Sequence, residues 1–495
     1  MKNFNYCIIV ILTGLLSASC VSVKKYNENI YVTRTEKDLK KDVNYLHKKL
    51  QKLHPNLYWY ITKQELDYKF DSLKTTITAP MTSNEFYYKI SPLLASIRQG
   101  HNGMFPLVEK TPKKERKVYK ETSLLSLFEY ELFDNKLYIV KNNSADTSIQ
   151  IGSEVISINN ITPQEIYKNF VNSFVADGYI ETHFPKMFGS KFVAFHQFYN
   201  TKILRDSALY QLKYNDTITE HRIVRTKKNT KTEKTETLDY IEADSSIALM
   251  TIREFDMFYR SFYKKSFEQL RSANTQALII DLRNNGGGVA DNIQTLYAYL
   301  TDTSYYLMSK AEVVSKTSLL RYDGVLKKPS IGRIILSPVL LPIVFIDKCN
   351  IFFKTKKEDG KYYYQTKPSK LRQHNPLHFN GEVYVLINGR TFSASCILSS
   401  NLHGAKRATF VGEETGGAYN GCVALKFFSF KLPKSKLSGR LGLATVKPFY
   451  QTDTEGRGIM PDMEILPTLE DRINGNDPEL NATLDLIRLK RTENR

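Results

Sequence analysis

The segment "VYVLINGRTFSASCILSSNLHG", residues 383–404, ends an apolar run in a turn of small residues and continues as a helical pattern. Ser393, Ser395 and Cys396 sit at that turn. A serine at the start of a helix lies at the positive end of the helix dipole, which favours alkoxide and oxyanion character. The N–H groups of the first turn lack intrahelical partners and can face a developing negative charge. Ser393 and Ser395 both fit that description. Either could instead be the helix N-cap, the commoner role for a serine in this place.

A second stretch, "LIIDLRNNGGG" (278–288), places Asp281 at the end of a buried-strand run and three glycines after it. Strand C-terminal ends are where open α/β sheets build their sites, and glycines let backbone N–H groups approach a ligand. The phosphate-binding glycine fingerprints are absent. An oxyanion donor and a plain tight turn remain. His101, in "RQGHNGMF", follows Gly100 at the end of a helical pattern, where taken alone it reads as a surface histidine. His403 closes a helix as a dipole cap would. His374 and His378 are four apart, but the intervening Asn-Pro argues against a helical metal pair. No metal-ligand spacing appears, and no cofactor is expected.

Several elements must position these groups. Thr35 and Asp38 open a helix whose Leu39, Val43, Leu46 and Leu50 form one stripe. Thr82 and Glu85 open a second, with Phe86, Ile90, Leu93 and Ile97 on one face and Gly100 as its stop. From about 120 to 230 the texture is β-rich, with a turn at Asn159–Asn160 and a helix opened by Thr162–Pro163. The Gly152–Asn160 pattern resembles the middle of a PDZ-type module, which binds chain termini by strand addition. From about 240 to 470 apolar runs alternate with helical stretches, implying a mostly parallel, covered sheet. Residues 303–380 interrupt it and read as an insertion. Within them the apolar run 334–346, with Pro338 and Pro342, reads as a buried strand pair or loop.

The 495 residues exceed one core, so two or three domains are expected. "MKNFNYCIIVILTGLLSASC" has the form of a secretory signal closing on Cys20, the residue a bacterial lipoprotein would lipidate. That implies a periplasm-facing location with a lipid anchor in the membrane, and a tether over 21–34. Cys349, Cys396 and Cys422 are odd in number and scattered, so no disulfide framework follows. The formal charge of +19 gathers in lysine-rich stretches that read as solvated loops with some attraction to anionic lipid. No nucleic-acid motif accompanies it, and no nucleic-acid partner is expected.

"DLRNNGGG", then "TFSASC", then "VGEETGG", with "GHNG" upstream and "EGRGIMPDMEILPT" (455–468) downstream, resembles the tail-specific (C-terminal processing) serine peptidases. Their motifs run D-L-R-x-N-x-G-G and T-x-S-A-S-E, and "NGNDPELNATLDLI" is similar to their closing helix. The likeness spans about residues 35–490. It implies an α/β catalytic domain of the crotonase/ClpP-like αββ type, behind an N-terminal helical region and the PDZ-like module. The domain boundaries expected are 35–118, 119–232 and 233–475, with a C-terminal helix at 476–495.

Carried over by this resemblance, Ser393 is the nucleophile, and Gly287 and Ala394 supply the oxyanion hole. Cys396 stands where the family usually has Glu. The branch with a Ser–Lys dyad has a lysine where this chain has Ala418 or a neighbour; Lys406 and Lys426 lie elsewhere on the alignment. The chain instead resembles the tricorn-like branch, which makes His101 the base, a role suited to its near-neutral pKa. Glu455 stands where that branch has the supporting acid. Polypeptides with unfolded or accessible C-termini are the implied substrates. The alternative is a peptide-binding lipoprotein that keeps the fold and has lost useful catalysis.

Overall fold

The computed structural model of the chain describes residues 22–112, 114–115, 122–200, 206–227, 234–256, 258–323 and 337–493. Cys20, the expected lipidation site, lies outside them. Among the described residues no helix is long and apolar enough to cross a membrane.

The apolar runs at the centre of the chain pair as the sequence pattern demands. Ile247–Ile252, Ala277–Asp281, Glu382–Ile387, Thr409–Gly412 and Met463–Glu464 lie side by side in parallel, and Glu236–Tyr240 closes one edge antiparallel. Ala277–Asp281 is buried along its whole length, because helices cover both faces of a parallel sheet. Its central position brings the end of Ala277–Asp281 beside the end of Glu382–Ile387, with Asp281 level with Leu386. The two motif turns therefore leave the same sheet edge.

A second sheet is organised around the strand Ser438–Val446. It pairs with Cys422–Lys431, with the short strand Gly103–Phe105 that follows His101, and with Ala311–Val313. Lys361–Tyr364 and Thr355–Glu358 extend it. The segment expected as an insertion thus completes a sheet that also holds the histidine strand.

The N-terminal helices form as their patterns predict. Thr35 accepts the Asp38 N–H at the start of Glu36–Leu53, and Leu39, Val43, Leu46 and Leu50 are fully buried. Thr82 and Glu85 make a reciprocal capping box for Ser83–Ala95. That helix stops earlier than Gly100 suggests: its C-cap is Ser96, and Arg98 takes the positive φ of 56°. Gly100 is required for a different reason, since a Cβ there would lie 2.8 Å from the Phe392 ring.

Between Phe128 and Val224 five antiparallel strands run in sequence order, with helices Pro163–Ser173 and His183–Asn200 inserted between the third and fourth. Asn159 and Asn160 both have positive φ in the tight turn, and Thr162 and Glu165 box the helix that Pro163 opens.

Two further expectations are corrected. The tether expected over 21–34 is not free in its described part, 22–34: Val23–Ile30 is a helix capped by Ser22, Ile30 is buried, and Asn27 exchanges hydrogen bonds with the Lys110 backbone. Ser22 three residues before Lys25 is a usable N-cap. The apolar run expected as a strand pair or loop is helix over its described part: Ser337–Lys354 form one helix, and residues 334–336 lie outside the described residues. Pro338 falls in its first turn, where helical N–H groups need no partner.

Candidate active site

The turn after Glu382–Ile387 is stitched to the glycine turn by side chains of both motifs. Asn388 Oδ1 accepts the N–H of Asn284, Thr391 Oγ1 donates to the Leu282 carbonyl, and Phe392 N–H donates to the Asn285 carbonyl. These bonds force the chain into its sharp entry to the helix Ala394–Gly404. Ser393 sits at the N-cap position with φ 58° and ψ −117°, a backbone conformation costly for a serine and typical of functional turns.

Its hydroxyl makes no capping bond to the helix. Instead Ser393 Oγ lies 2.9 Å from His101 Nε2. Ser395 is spent otherwise: its fully buried hydroxyl donates to the Asn285 carbonyl at 3.1 Å. Cys396 is also buried, with Sγ on the Thr391 carbonyl, and burial pushes its thiol up to about 12.

His101 is held from several sides. Gly100 N–H donates to Asp177 Oδ1 at 2.6 Å. Asn102 contacts His54 Nε2 at 3.0 Å, and the strand starting at Gly103 pairs with Arg440. The ring packs against Phe392 and Phe427, with centroids 4.8 and 5.8 Å away. Burial, with the nearby cation of Arg440 and with His183, lowers its pKa to about 3, so the ring is neutral at ordinary pH. Its Nδ1 is buried without a hydrogen-bond partner.

Among the described residues Glu455 makes no direct hydrogen bond to His101. Glu455 Oε2 accepts the Trp59 indole N–H at 3.0 Å on an exposed turn. The oxyanion pair needs a correction as well. Gly287 is packed against Ser393 so closely that a Cβ would meet Ala394 N at 2.8 Å, but its N–H is taken by Asn285 Oδ1 at 2.9 Å. Gly286 and Gly288 are the glycines that line the cavity with Ser393. Ala394 begins the helix, so its N–H faces out of the first turn.

Neither lysine reaches the serine. Lys426 pairs with Asp347 at 3.5 Å, and Lys406 follows the far end of the helix that Ser393 opens. Asp281 is structural: although burial opposes ionisation, Arg283 and Arg253 hold its carboxyl below the usual range. Arg283 also clamps Asp477 at 2.6 Å, fastening the C-terminal helix behind the sheet.

Asp177 escaped the sequence reading. It lies in "VADGY", a loop between two helices, and no motif or spacing marks it. Only the fold brings it under Gly100.

Residues 246–465 match the model of peptidase family S41. No curated protein matches the chain. In fold the chain is similar to mature CPAF complexed with lactacystin (TM-score 0.60, 15% identity, 91% of this chain and 97% of that chain). Uncomplexed mature CPAF gives 0.58 at 14% identity, covering 89% and 95%. A peptidase from Parabacteroides merdae gives 0.46 at 14%, covering 92% and 96%. The family match coincides with the sheet and turns that carry Ser393, and the chain is a serine-type peptidase with a family S41 domain over residues 246–465.

Proposed function

We propose that Ser393 is the nucleophile and His101 the general base of a tail-specific endopeptidase acting on unfolded or C-terminally accessible proteins in the bacterial cell envelope. The 2.9 Å contact between Ser393 Oγ and His101 Nε2 carries this reading. Ser393 Oγ attacks the peptide carbonyl carbon as His101 Nε2 takes its proton. The oxyanion of the tetrahedral intermediate is received by Ala394 N–H and by a glycine N–H of the 286–288 run. Its collapse expels the amine, which leaves with the proton from His101. Water then repeats the sequence on the acyl-enzyme and frees Ser393.

The five-stranded module is read as PDZ-like, a collector of chain termini that feeds the site. Cys20 is read as the lipidated N-terminus that holds the protein on the membrane. Both rest on the sequence patterns given above.

One observation favours the rival reading of a peptide-binding protein with weak catalysis: His101 Nδ1 has no partner to stabilise an imidazolium. The two separate with protein lacking residues 1–20 and a fluorophosphonate probe. Labelling of the wild type, lost in Ser393→Ala and strongly slowed in His101→Ala, supports the peptidase mechanism. Labelling that survives Ser393→Ala sinks it, and a wild type that neither labels nor cleaves unfolded chains favours the binder.

A further inference from the structure

A cavity of about 480 Å³ opens directly at Ser393 and His101, with Gly286 and Gly288 on the same rim. Its far wall does not come from the family domain. Ile166, Phe170 and Phe174 project from or just beyond the helix Pro163–Ser173, and Met187, Phe195 and Phe198 from His183–Asn200. The aromatic wall is packed in advance: Phe170 lies 4.3 Å from Phe195 and 4.7 Å from Phe174 between ring centroids.

Charge is as informative as shape. Among the described lining residues there is no aspartate or glutamate, and Arg440 is the single residue with a permanent charge. Its guanidinium sits 3.5 Å above the Phe427 ring at the rim. A lysine or arginine side chain entering here would give up water, find no carboxylate and meet a like charge. A large apolar side chain would exchange water for aromatic surface, the arrangement that such pockets favour.

We propose that this cavity receives a large apolar side chain flanking the scissile bond and excludes lysine and arginine, so that the β-rich module sets side-chain specificity. The proposal rests on the Ser393 reading and narrows its substrate class. A wall built by the module's two helices makes cleavage preference a property of module and catalytic domain together.

The test uses protein lacking residues 1–20 and a matched peptide series with Phe, Leu, Ala or Lys on either side of the scissile bond. At one of the two positions kcat/KM should rank Phe and Leu above Ala, and exceed Lys by about 100-fold or more. Asn169→Trp, a change on a half-buried lining position, should fill the cavity and erase the preference for Phe. Met187→Ala should enlarge it and shift the optimum to the bulkier side chain. Circular dichroism and thermal melting should show both variants folded as the wild type is. Lysine accepted as well as phenylalanine at both positions overturns the proposal, as does a ranking that neither variant changes. On Ser393→Ala the same ranking is read as peptide affinity. Loss of turnover alone then bears on the nucleophile, and loss of the ranking bears on the pocket.

Discussion

Asp177 accepts the backbone N–H of Gly100 at 2.6 Å, one residue before His101, from a loop joining the two helices of the β-rich module. The acid thus fixes the histidine turn through the main chain. It is fully enclosed, its second oxygen has no partner, and burial raises its pKa to about 7. The same loop is locked on its other side, where Tyr179 N–H donates to the Gly456 carbonyl and a Cβ on Gly178 would strike Gly456 at 2.3 Å.

Removing that acceptor should move His101 without unfolding the sheet. Asp177→Ala is expected to lower kcat by about tenfold or more with KM little changed, because a histidine displaced from its serine loses transition-state stabilisation only. Asp177→Asn keeps an oxygen for Gly100 and should restore most of the rate. Equal losses in kcat and substrate affinity, or no rescue by Asn, would show that Asp177 is only a packing residue.

Glu455 makes a contrasting prediction. His101→Ala should cost about 10³-fold or more in kcat/KM, the range of losing a base from such a constellation. Glu455→Gln keeps an acceptor for the Trp59 indole, and it should stay within about tenfold of wild type. A loss in Glu455→Gln comparable to that in His101→Ala would mean that Glu455 reaches the histidine during turnover.

Stability should fall on acidification. Burial holds His54, His183 and His196 at about 4, and burial with nearby positive charge holds His101 at about 3, against an ordinary 6.5. Between about pH 4 and 6.5 the unfolded chain therefore binds more protons than the folded one, and stability rises with pH across that window. Asp177 acts oppositely: its folded pKa is raised from 3.8 to about 7, so its contribution falls as pH rises between those values. Burial raises the Glu413 carboxyl too, and four histidines against these two acids give a melting temperature that drops from pH 7 to pH 5. Asp177→Asn removes one opposing contribution and should steepen the drop; a flat profile in both proteins would refute the account.

What the sequence made legible was the chemistry carried by contiguous motifs. "TFSAS", "DLRNNGGG" and "GHNG" each keep their residues within one turn, so the nucleophile turn, its glycines and the histidine could be named before any fold. Asp177, Arg440 and the aromatic wall could not, since each acts only after distant chain segments are brought together, as Gly100 with Asp177, 77 residues apart, or His101 with Ser393, 292 apart. Gly287 shows the limit within a motif: its place beside Ser393 follows from the pattern, but the turn that gives its N–H to Asn285 is a side-chain detail. In the run 334–346 two prolines in an apolar stretch argue against a helix interior, yet from Ser337 on the chain is helical. Periodicity could not show that the helix extends on to Lys354.

Cys396 offers the last prediction. It stands beside the nucleophile in the slot where the family usually has Glu, and a thiol in that place invites the suspicion of a second nucleophile. Its surroundings oppose this: the sulfur is buried, it hydrogen-bonds the Thr391 carbonyl, and burial pushes its pKa up to about 12, so thiolate is negligible at neutral pH. Cys422 is likewise buried with a raised pKa, whereas Cys349 is partly accessible. In native protein lacking residues 1–20, a thiol reagent should modify Cys349 quickly and leave peptidase activity intact. Cys396 and Cys422 should react only at the rate of unfolding, and faster in denaturant. Peptide mapping after timed labelling checks this directly. Fast native labelling of Cys396 with parallel loss of activity would show that the slot opens to solvent and that its thiol belongs to the reacting surface.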